Sequence, residues 1–553
     1  MSTKKIIITS RQNTTKIDYT ASLNEEQLAV VENGNGYCLV LAGAGSGKTR
    51  TVTYRVAYLL EHGVNPQSIL LLTFTNKAAR EMVGRVEGLL GDEARGVWGG
   101  TFHHIANRLL RPIAKDLGFN SNFTILDSED SKSLLSGILL EMGVEKGDKR
   151  KPSAAVLQDI ISYARNAELS TQGTLELRHP KWLDDVSFFE EVSRRYADKK
   201  QKANSMDFDD LLYQLLRWLR QNDNNRERIA KQFQYVLVDE YQDTNKLQAD
   251  LVDKLSSVHK NLLVVGDDAQ SIYSFRAADV SNILNFPKLY PAANIFRLEI
   301  NYRSSPEILS LANEVINQNS NQFEKHLRSV RESGDKPVLL QCLSPKQEAE
   351  AVASIIERSL NDGMPHNGIA VLFRAAFHSQ QLEFELTRRG IPYDYRGGVR
   401  FFERAHVKDT LSFLKIVHNS KDEIAWGRAL NLQTGIGAIA SQKIIEAVKN
   451  CPSLDIVLSS SMPVSGKAYS GWQALSKVLL ALLDSRSENP GELIYLTRDL
   501  WYDSYLEAQY PDYKDRQDDL GQLAVVGGQY KELESFLAEI TLQEAWKRTD
   551  GDH

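Results

Sequence analysis

The residues best able to do chemistry in this chain are a lysine and a threonine ending a glycine-rich loop, and two adjacent carboxylates ending an apolar run far downstream. Residues 35–49 read Asn-Gly-Tyr-Cys-Leu-Val-Leu-Ala-Gly-Ala-Gly-Ser-Gly-Lys-Thr. The small residues Ala42, Gly43, Ala44, Gly45, Ser46 and Gly47 let successive backbone N–H groups turn inward on phosphate oxygens. A helix starting at this point adds the positive end of its dipole. Lys48 can then reach the β and γ phosphates, and the Thr49 hydroxyl can hold Mg²⁺. Ala42 stands where the pattern usually has glycine, and it is small enough to keep the loop. A glycine-rich turn with an accidental Lys-Thr is the competing account.

Residues 235–243 read Tyr-Val-Leu-Val-Asp-Glu-Tyr-Gln-Asp. An apolar strand ends in Asp239, suited to position Mg²⁺, and Glu240, suited to polarise an attacking water. A strand followed by a solvated acidic turn would look the same in isolation. Beside a phosphate loop the pair points to hydrolysis of a nucleoside triphosphate, which needs a metal and a base at the phosphates. A further apolar run ends in Gly266-Asp267-Asp268-Ala269-Gln270, where Gln270 can sense a γ phosphate or orient water. Tyr273, Phe275 and Arg276 follow at once, which suggests a stacking surface tied to nucleotide state. Stacking contributes about 1–3 kcal/mol per base and tolerates any base. Taken singly, Tyr273 and Phe275 read more readily as core aromatics.

These groups need a scaffold that brings distant strand ends together. Strand-like runs lie at 37–41, 69–74, 235–239, 262–266, 295–298, 338–341 and 369–373. Several are unbroken Val, Ile and Leu, as in strands buried on both faces. Helical segments separate most of them, so the expected fold class is α/β with parallel sheets. Open parallel sheets bind ligands at the carboxyl ends of their strands. Between 112 and 204 strand signals are scarce, and an all-helical insertion is expected. From about residue 400 the pattern is again mostly helical.

At 553 residues the chain is expected to form three or four domains. It is 42% hydrophobic and 25% charged, with net charge −6, so any nucleic-acid binding must come from local basic and aromatic patches. Cys38, Cys342 and Cys451 are far apart and form neither a metal spacing nor a disulfide framework, which suits a reducing cytoplasm. No signal peptide or membrane span is expected. His103-His104 lacks a third ligand at metal spacing.

The ordered set of motifs resembles the superfamily-one DNA helicases of the UvrD/PcrA/Rep type. Leu23-Asn24-Glu25-Glu26-Gln27 resembles their adenine-reading motif, with Gln27 as base reader, and Arg50 follows the phosphate loop as in the family. Thr73-Phe74-Thr75-Asn76-Lys77-Ala78-Ala79 and Gly100-Thr101-Phe102-His103 resemble DNA-contacting motifs. Asp207-Phe208-Asp209-Asp210-Leu211 resembles the return from the insertion. The runs 238–243 and 266–273 match the magnesium and γ-phosphate motifs, with Phe275 where the family often has Trp. Leu298-Glu299-Ile300-Asn301-Tyr302-Arg303-Ser304 matches a second-domain motif. The resemblance implies that Tyr302 stacks on adenine and Arg303 contacts the γ phosphate. It also implies that Gly397-Gly398-Val399-Arg400-Phe401-Phe402-Glu403-Arg404 enters an accessory domain, 2B. The implied fold is a RecA-like P-loop domain 1A (1–111 and 205–292), a helical insertion 1B (112–204), a partial second RecA-like domain 2A (293–395) and a helical domain 2B (396–553). The implied activity is ATP-dependent 3′→5′ DNA unwinding with ATP and Mg²⁺ as cofactors. The implied partners are single-stranded DNA, single/double-strand junctions, and repair or replication proteins. Physical chemistry agrees with several of these roles. Phe74 leaves a strand at the sheet's carboxyl edge, and Thr73, Thr75, Asn76, Thr101 and His103 are short donors suited to phosphate oxygens. Thr434-Gly435-Ile436-Gly437 resembles a helix-hairpin-helix turn facing a duplex phosphate, and reads equally as a helix C-cap and turn.

Two motifs that the resemblance places after the accessory region, a Lys-Gly-Leu-Glu core and a stretch carrying a γ-phosphate arginine, are not found as strings in the sequence. The expectation is therefore a chain lacking the last two helicase motifs, with half of its second α/β domain. Such a chain would bind ATP and DNA but turn over slowly, since an arginine finger contributes about 10³–10⁵ in rate. The alternative function is a non-catalytic ATP- and single-stranded-DNA-binding module.

Overall fold

The computed structural model describes residues 17–126, 128–144, 151–375, 378–395, 401, 404–486, 489–537 and 540. The chain forms two compact units. The first takes residues up to 134 and 158–338, the second 135–157 and from 339 onward.

The first unit is built on strands β1 (Tyr37–Ala42), β2 (Ile69–Thr73), β3 (Trp98–Thr101), β4 (Thr124–Leu126), β5 (Ser205–Asp207), β6 (Tyr235–Val238), β7 (Leu262–Gly266), β8 (Asn294–Leu298), β9 (Ile300–Asn301) and β10 (Arg328–Ser329). Six of them form one parallel sheet in the order β3-β2-β6-β7-β1-β8. Alternation along the strands divides the core between two faces. Leu39, Leu41, Leu70, Leu72, Val236, Val238, Leu262 and Val264 pack on one side with Ile105, Leu109, Leu211, Leu215, Leu251 and Leu255. Cys38, Val40, Ile69, Leu71, Leu237, Leu263 and Val265 pack on the other with Val52, Val56, Met82 and Val86. Both faces are covered by helices, so the strands read as continuous apolar runs. The fold is thus mixed α/β with a central parallel sheet.

Three expectations change. β8 pairs with β1 from Cys38↔Asn294 to Ala42↔Leu298, so the first sheet runs past the boundary set at 293. The helical insertion is entered and left through a short parallel ladder, β4 with β5. Three residues carry too little alternation for such a strand to show in sequence. The runs 338–341 and 369–373 are not in strands, and Leu339 and Leu372 are almost fully exposed. An apolar run signals a strand only when a partner completes its ladder, and no described residue pairs with either.

The ladder at β5 leads into a buried charge cluster. Asp207 caps the helix Phe208–Gln221 in a capping box with Asp210. Lys200 Nζ, with its side chain 2% exposed, reaches Asp207 at 2.5 Å and also Asp210, and Arg165 pairs with Asp210 at 2.5 Å. Burial alone would raise the Asp207 carboxyl, but Lys200 and Arg165 hold it below its ordinary value. The cluster continues outward: Asn166 donates to Asp209 at 2.7 Å and accepts from Asn245, the N-cap of the helix Lys246–Ser256, at 2.8 Å.

The second unit is helical. Its core gathers Val407, Leu411, Trp426, Trp472, Leu475, Leu479, Tyr502 and Leu520, with Trp426 and Trp472 stacked at 5.9 Å. A smaller cluster joins the helices Pro345–Asn361 and Ser379–Arg388 through Ala353, Ile356, Leu382 and Leu386. Among the described residues no helix is long and apolar enough to cross a membrane.

Removing one partner from a buried charge cluster leaves the others uncompensated, at about 3–5 kcal/mol. Lys200→Ala is therefore expected to lower the stability of the first unit by that amount in denaturant unfolding. A change below about 1 kcal/mol, the range of surface ion pairs, would show that the cluster does not hold this region.

Candidate nucleotide and nucleic-acid site

The carboxyl ends of β1, β2, β6 and β7 meet at one edge of the first unit's sheet, and the predicted nucleotide residues lie there. β1 ends at Ala42, and the helix Lys48–Glu61 begins six residues later, so Lys48 and Thr49 stand on its first turn. Gly47 caps that helix at φ +86°, and an added Cβ would lie 2.6 Å from Gln27 Nε2. Gly45, at φ +73°, would meet Arg303 Cβ at 2.7 Å. Glycine is required at both positions by backbone and by space. Ser46 Oγ donates to the Gly43 carbonyl at 2.7 Å and stiffens the loop.

Gln27 closes one side of the loop. Its Nε2 donates to the Ser46 carbonyl at 3.0 Å, and its backbone N–H is held by Asn24 Oδ1 in a capping box. Asn24 Nδ2 donates to the Tyr302 hydroxyl at 2.7 Å, so the predicted base reader and the predicted base-stacking ring share one wall. Tyr302 is 47% exposed, which leaves its ring accessible. Tyr302 N–H donates to the Gly45 carbonyl at 3.0 Å, and Asn301 donates to the Ala44 carbonyl. Arg303, exposed, stands beside Gly45, with its N–H on Asn301 Oδ1 at 2.8 Å. Arg50 turns away from the loop toward the Ser22 carbonyl, 2.8 Å away, and lies over the Tyr54 ring.

The carboxylates sit opposite. Lys48 Nζ pairs with Glu240 Oε2 at 2.8 Å. Glu240 has φ +52°, a left-handed backbone that costs an ordinary residue free energy and here follows the end of β6. Asp239 is buried, and its Oδ1 accepts the Glu240 N–H at 3.0 Å. Burial and the neighbouring Glu240 push Asp239 up to about 6, with Lys48 opposing. Burial and Glu240 likewise raise Asp243 to about 6. A buried carboxylate at a strand tip, beside a threonine-bearing phosphate loop, fits a hard divalent cation bound through oxygen. Gln270 Nε2 donates to Asp267 Oδ2 at 2.6 Å.

The aromatic candidates form a row. Phe74 and Tyr273 stack at 5.3 Å, and Tyr273 lies 5.8 Å from Phe275, which is 61% exposed. The reading of Phe275 as core fails, because most of the residue is exposed. Thr75 and Thr101 are N-caps of the helices Asn76–Leu90 and Phe102–Ile113, accepting from Ala78 and His104, so their hydroxyl hydrogens remain free to donate outward. Asn76 is exposed on the first turn. Thr73 is fully buried at the end of β2 and presents no side chain to a ligand, a correction to its predicted role. His103 meets the Phe208 ring edge-on at 5.8 Å, and burial lowers its pKa with Asp209 opposing, which favours a neutral donor over a cation. The side chain of Arg276 lies outside the described residues, as do residues 397–400, 402 and 403 of the run read as the 2B entry. In the second unit, Gly435 has φ +83° and its missing Cβ would lie 2.7 Å from the Lys467 backbone. Close packing therefore accounts for that glycine as a turn residue.

Sequence reasoning passed over Gln242, which is buried and spans two strand tips. Its Nε2 donates to Glu240 at 2.9 Å and to Asp243 at 3.3 Å, and its Oε1 accepts from Asp267 N–H at 3.0 Å. A Cβ on Gly266 would sit 2.6 Å from that Oε1, so the glycine makes room for the bridge. The only sequence signal was a polar residue among carboxylates. Lys325, paired with Asp267 and Asp268, gave none.

A parallel sheet with a lysine-bearing phosphate loop and carboxylates at the neighbouring strand tip has the form of a P-loop nucleotide-binding module. Residues 23–291 match the UvrD/REP helicase N-terminal domain, and residues 296–460 match the UvrD-like helicase C-terminal domain. Between them the two matches span most of the chain, which belongs to the UvrD/REP helicase family. The ATP-dependent DNA helicase PcrA of Staphylococcus epidermidis is 39% identical over 425 residues, covering 76% of this chain and 58% of the relative. That of Staphylococcus aureus is 39% identical over 424 residues, covering 76% and 57%. The chain thus spans somewhat over half the length of these relatives. The match at 296–460 does not support the expectation that the last two helicase motifs are lacking, and the slow turnover inferred from it falls as well. A short motif string tests a few side chains, whereas a domain match weighs the pattern of a whole segment.

The Asp239 shift carries a pH consequence. An acid whose pKa rises on folding keeps a proton that the unfolded chain has lost, so stability falls as pH rises from 3.8 to about 6 and is level above that. Without Mg²⁺, Asp239→Asn is expected to remove a loss on the order of 2–3 kcal/mol across this window. Melting curves from pH 4 to 7 check it, and parallel profiles for variant and parent would show that Asp239 ionises at no cost.

Proposed function

We propose that the chain is an ATP-driven motor that moves along single-stranded DNA and unwinds duplex in the 3′→5′ sense. The observation that carries this reading is one sheet edge holding both the Lys48–Glu240 pair at the phosphate loop and the Phe74–Tyr273–Phe275 row. Phe74 follows β2, the strand beside β6 whose end carries Glu240, and Tyr273 and Phe275 follow β7, the strand on the other side of β6. The relatives bearing the name ATP-dependent DNA helicase support it, as does membership of the family.

In this reading the phosphate-loop amides and Lys48 hold the β and γ phosphates. Gln27, Asn24 and Tyr302 flank the base. Thr49 and Asp239 would hold Mg²⁺, which neutralises phosphate charge when bound. Glu240, held by Lys48 and Gln242, takes the proton of the attacking water, and Gln270 senses the γ phosphate. Arg303 approaches the same phosphate from beside Gly45. Bases stack on the aromatic row, while Thr75, Asn76, Thr101 and His103 donate to phosphate oxygens. The first sheet is the ATP-binding domain 1A, 112–204 the insertion 1B, and residues 396–553 the accessory domain 2B. Three cysteines in no disulfide suit work in a reducing cytoplasm.

Lys48→Ala is expected to weaken ATP binding at least tenfold in a fluorescent-nucleotide titration, since it removes a charge-assisted hydrogen bond to phosphate. Equal affinity would remove the phosphate-loop assignment. Phe275→Ala is expected to cost about 1–3 kcal/mol in single-stranded DNA affinity, without base preference and without lowering the melting temperature. An unchanged DNA affinity would take Phe275 out of the binding surface. The whole proposal is tested by ATP hydrolysis with and without single-stranded DNA. Binding of both ligands with no stimulated turnover would replace the motor by a non-catalytic binding module.

A further inference from the structure

Residues 323–328 cross the candidate nucleotide site and touch three of its parts. Phe323 N–H donates to Asp268 Oδ2 at 3.1 Å. Lys325 Nζ, its side chain 6% exposed, donates to Asp268 Oδ1 at 2.7 Å and also pairs with Asp267. Leu327 lies so close on the phosphate loop that a Cβ on Gly43 would overlap its side chain. Arg328 pairs with Glu26 at 3.2 Å, on the helix that carries Gln27. The same segment is fixed to Glu299, just past β8, and to β9: His326 N–H donates to Glu299 Oε1 at 2.9 Å, and Arg328 stands opposite Ile300. One short stretch thus joins the γ-phosphate sensor strand, the phosphate loop and the base-reading helix.

We propose that Lys325 is a positioning residue for γ-phosphate sensing, acting through Asp267 on Gln270. The inference rests on the nucleotide-site reading above. Asp267 is the hinge of the argument. One of its oxygens takes the Lys325 ammonium and the other takes the Gln270 amide at 2.6 Å. Its N–H is tied to Gln242, and Gln242 is tied to Glu240. Asp267 is buried, so without Lys325 its charge faces only neutral donors, and the carboxylate must turn or draw the Gln270 amide more tightly to itself. Either response moves the Gln270 side chain from the place that senses the phosphate. Among the described residues the Lys325 ammonium is held by Asp267 and Asp268, neither of them in the phosphate loop, so its effect is on discrimination rather than on holding nucleotide.

The test compares binding of ADP and of a β,γ-imido ATP analogue, each with Mg²⁺, to the full chain and to Lys325→Met. The loss of one positioning hydrogen bond predicts a fall of about fivefold to tenfold in the preference for the triphosphate, with ADP affinity kept within about twofold. Gln270→Ala should lower the preference by a similar factor, and Lys325→Met on top of it should add nothing, because the two act in one path. If Lys325→Met has no cooperative melt, Lys325→Gln, which keeps a donor to the carboxylates without the charge, takes its place with the same expected fall. A folded variant with the parent's preference overturns the proposal. So does equal loss of ADP and analogue, or a double variant whose losses add. A parent chain that binds both nucleotides without preference removes the sensor and this proposal but leaves the nucleotide site standing. A parent that binds neither removes the nucleotide-site reading too.

Discussion

A parallel sheet sends every strand's carboxyl end to the same edge, and the site in this chain follows from that constraint. Ala42, Thr73, Val238 and Gly266 end β1, β2, β6 and β7, and the polar residues just beyond them have nowhere else to go. Crowding carboxylates there is costly. Asp239, Glu240, Asp243, Asp267 and Asp268 converge, answered by Lys48 and Lys325 and by the donors of Gln242. Gln242 has a role no charged residue could fill, since it offers an amide donor to two carboxylates and a carbonyl to a backbone N–H at once.

The energetic character of the two ends of the sheet differs accordingly. The strand bodies bury aliphatic side chains on both faces and stabilise the fold without polar compromise. The strand tips hold a left-handed Glu240 and two carboxyls raised by burial. Such features cost stability and persist where the surrounding packing over-determines them. The region around β5 has its own version of the same arrangement in Lys200, Arg165, Asp207 and Asp210, but there the cations dominate and hold the Asp207 carboxyl below its ordinary value.

The parts legible in the sequence were those with a local signature. The phosphate loop, the β6 carboxylates and the Phe74, Tyr273 and Phe275 ring set could be named because each is a short run with its own chemistry, and the unbroken apolar strands announced burial on two faces. What escaped was set by partners distant in the chain. Thr73 was read as a ligand-facing donor, yet the pleat turns it inward. The strand character of 338–341 and 369–373 depended on pairing that composition does not encode. Lys325, a lone lysine in an unremarkable stretch, acquires meaning only through Asp267, 58 residues away. Gln242 could have been flagged by a simple rule, that a neutral amide between acidic neighbours at a strand tip has several acceptors to serve.

A single residue, Glu299, separates the end of β8 from the start of β9. Any pull on the segment beyond it is therefore handed directly to β8. The ladder between β8 and β1 runs along the line of that pull, with five residues in register from Asn294 to Leu298. Hydrogen bonds loaded in this direction are sheared together instead of peeled one after another. Mechanical work done on residues 300–329 would thus reach β1, and with it the phosphate loop, as tension along a stiff rod, with little lost to slack in the connection.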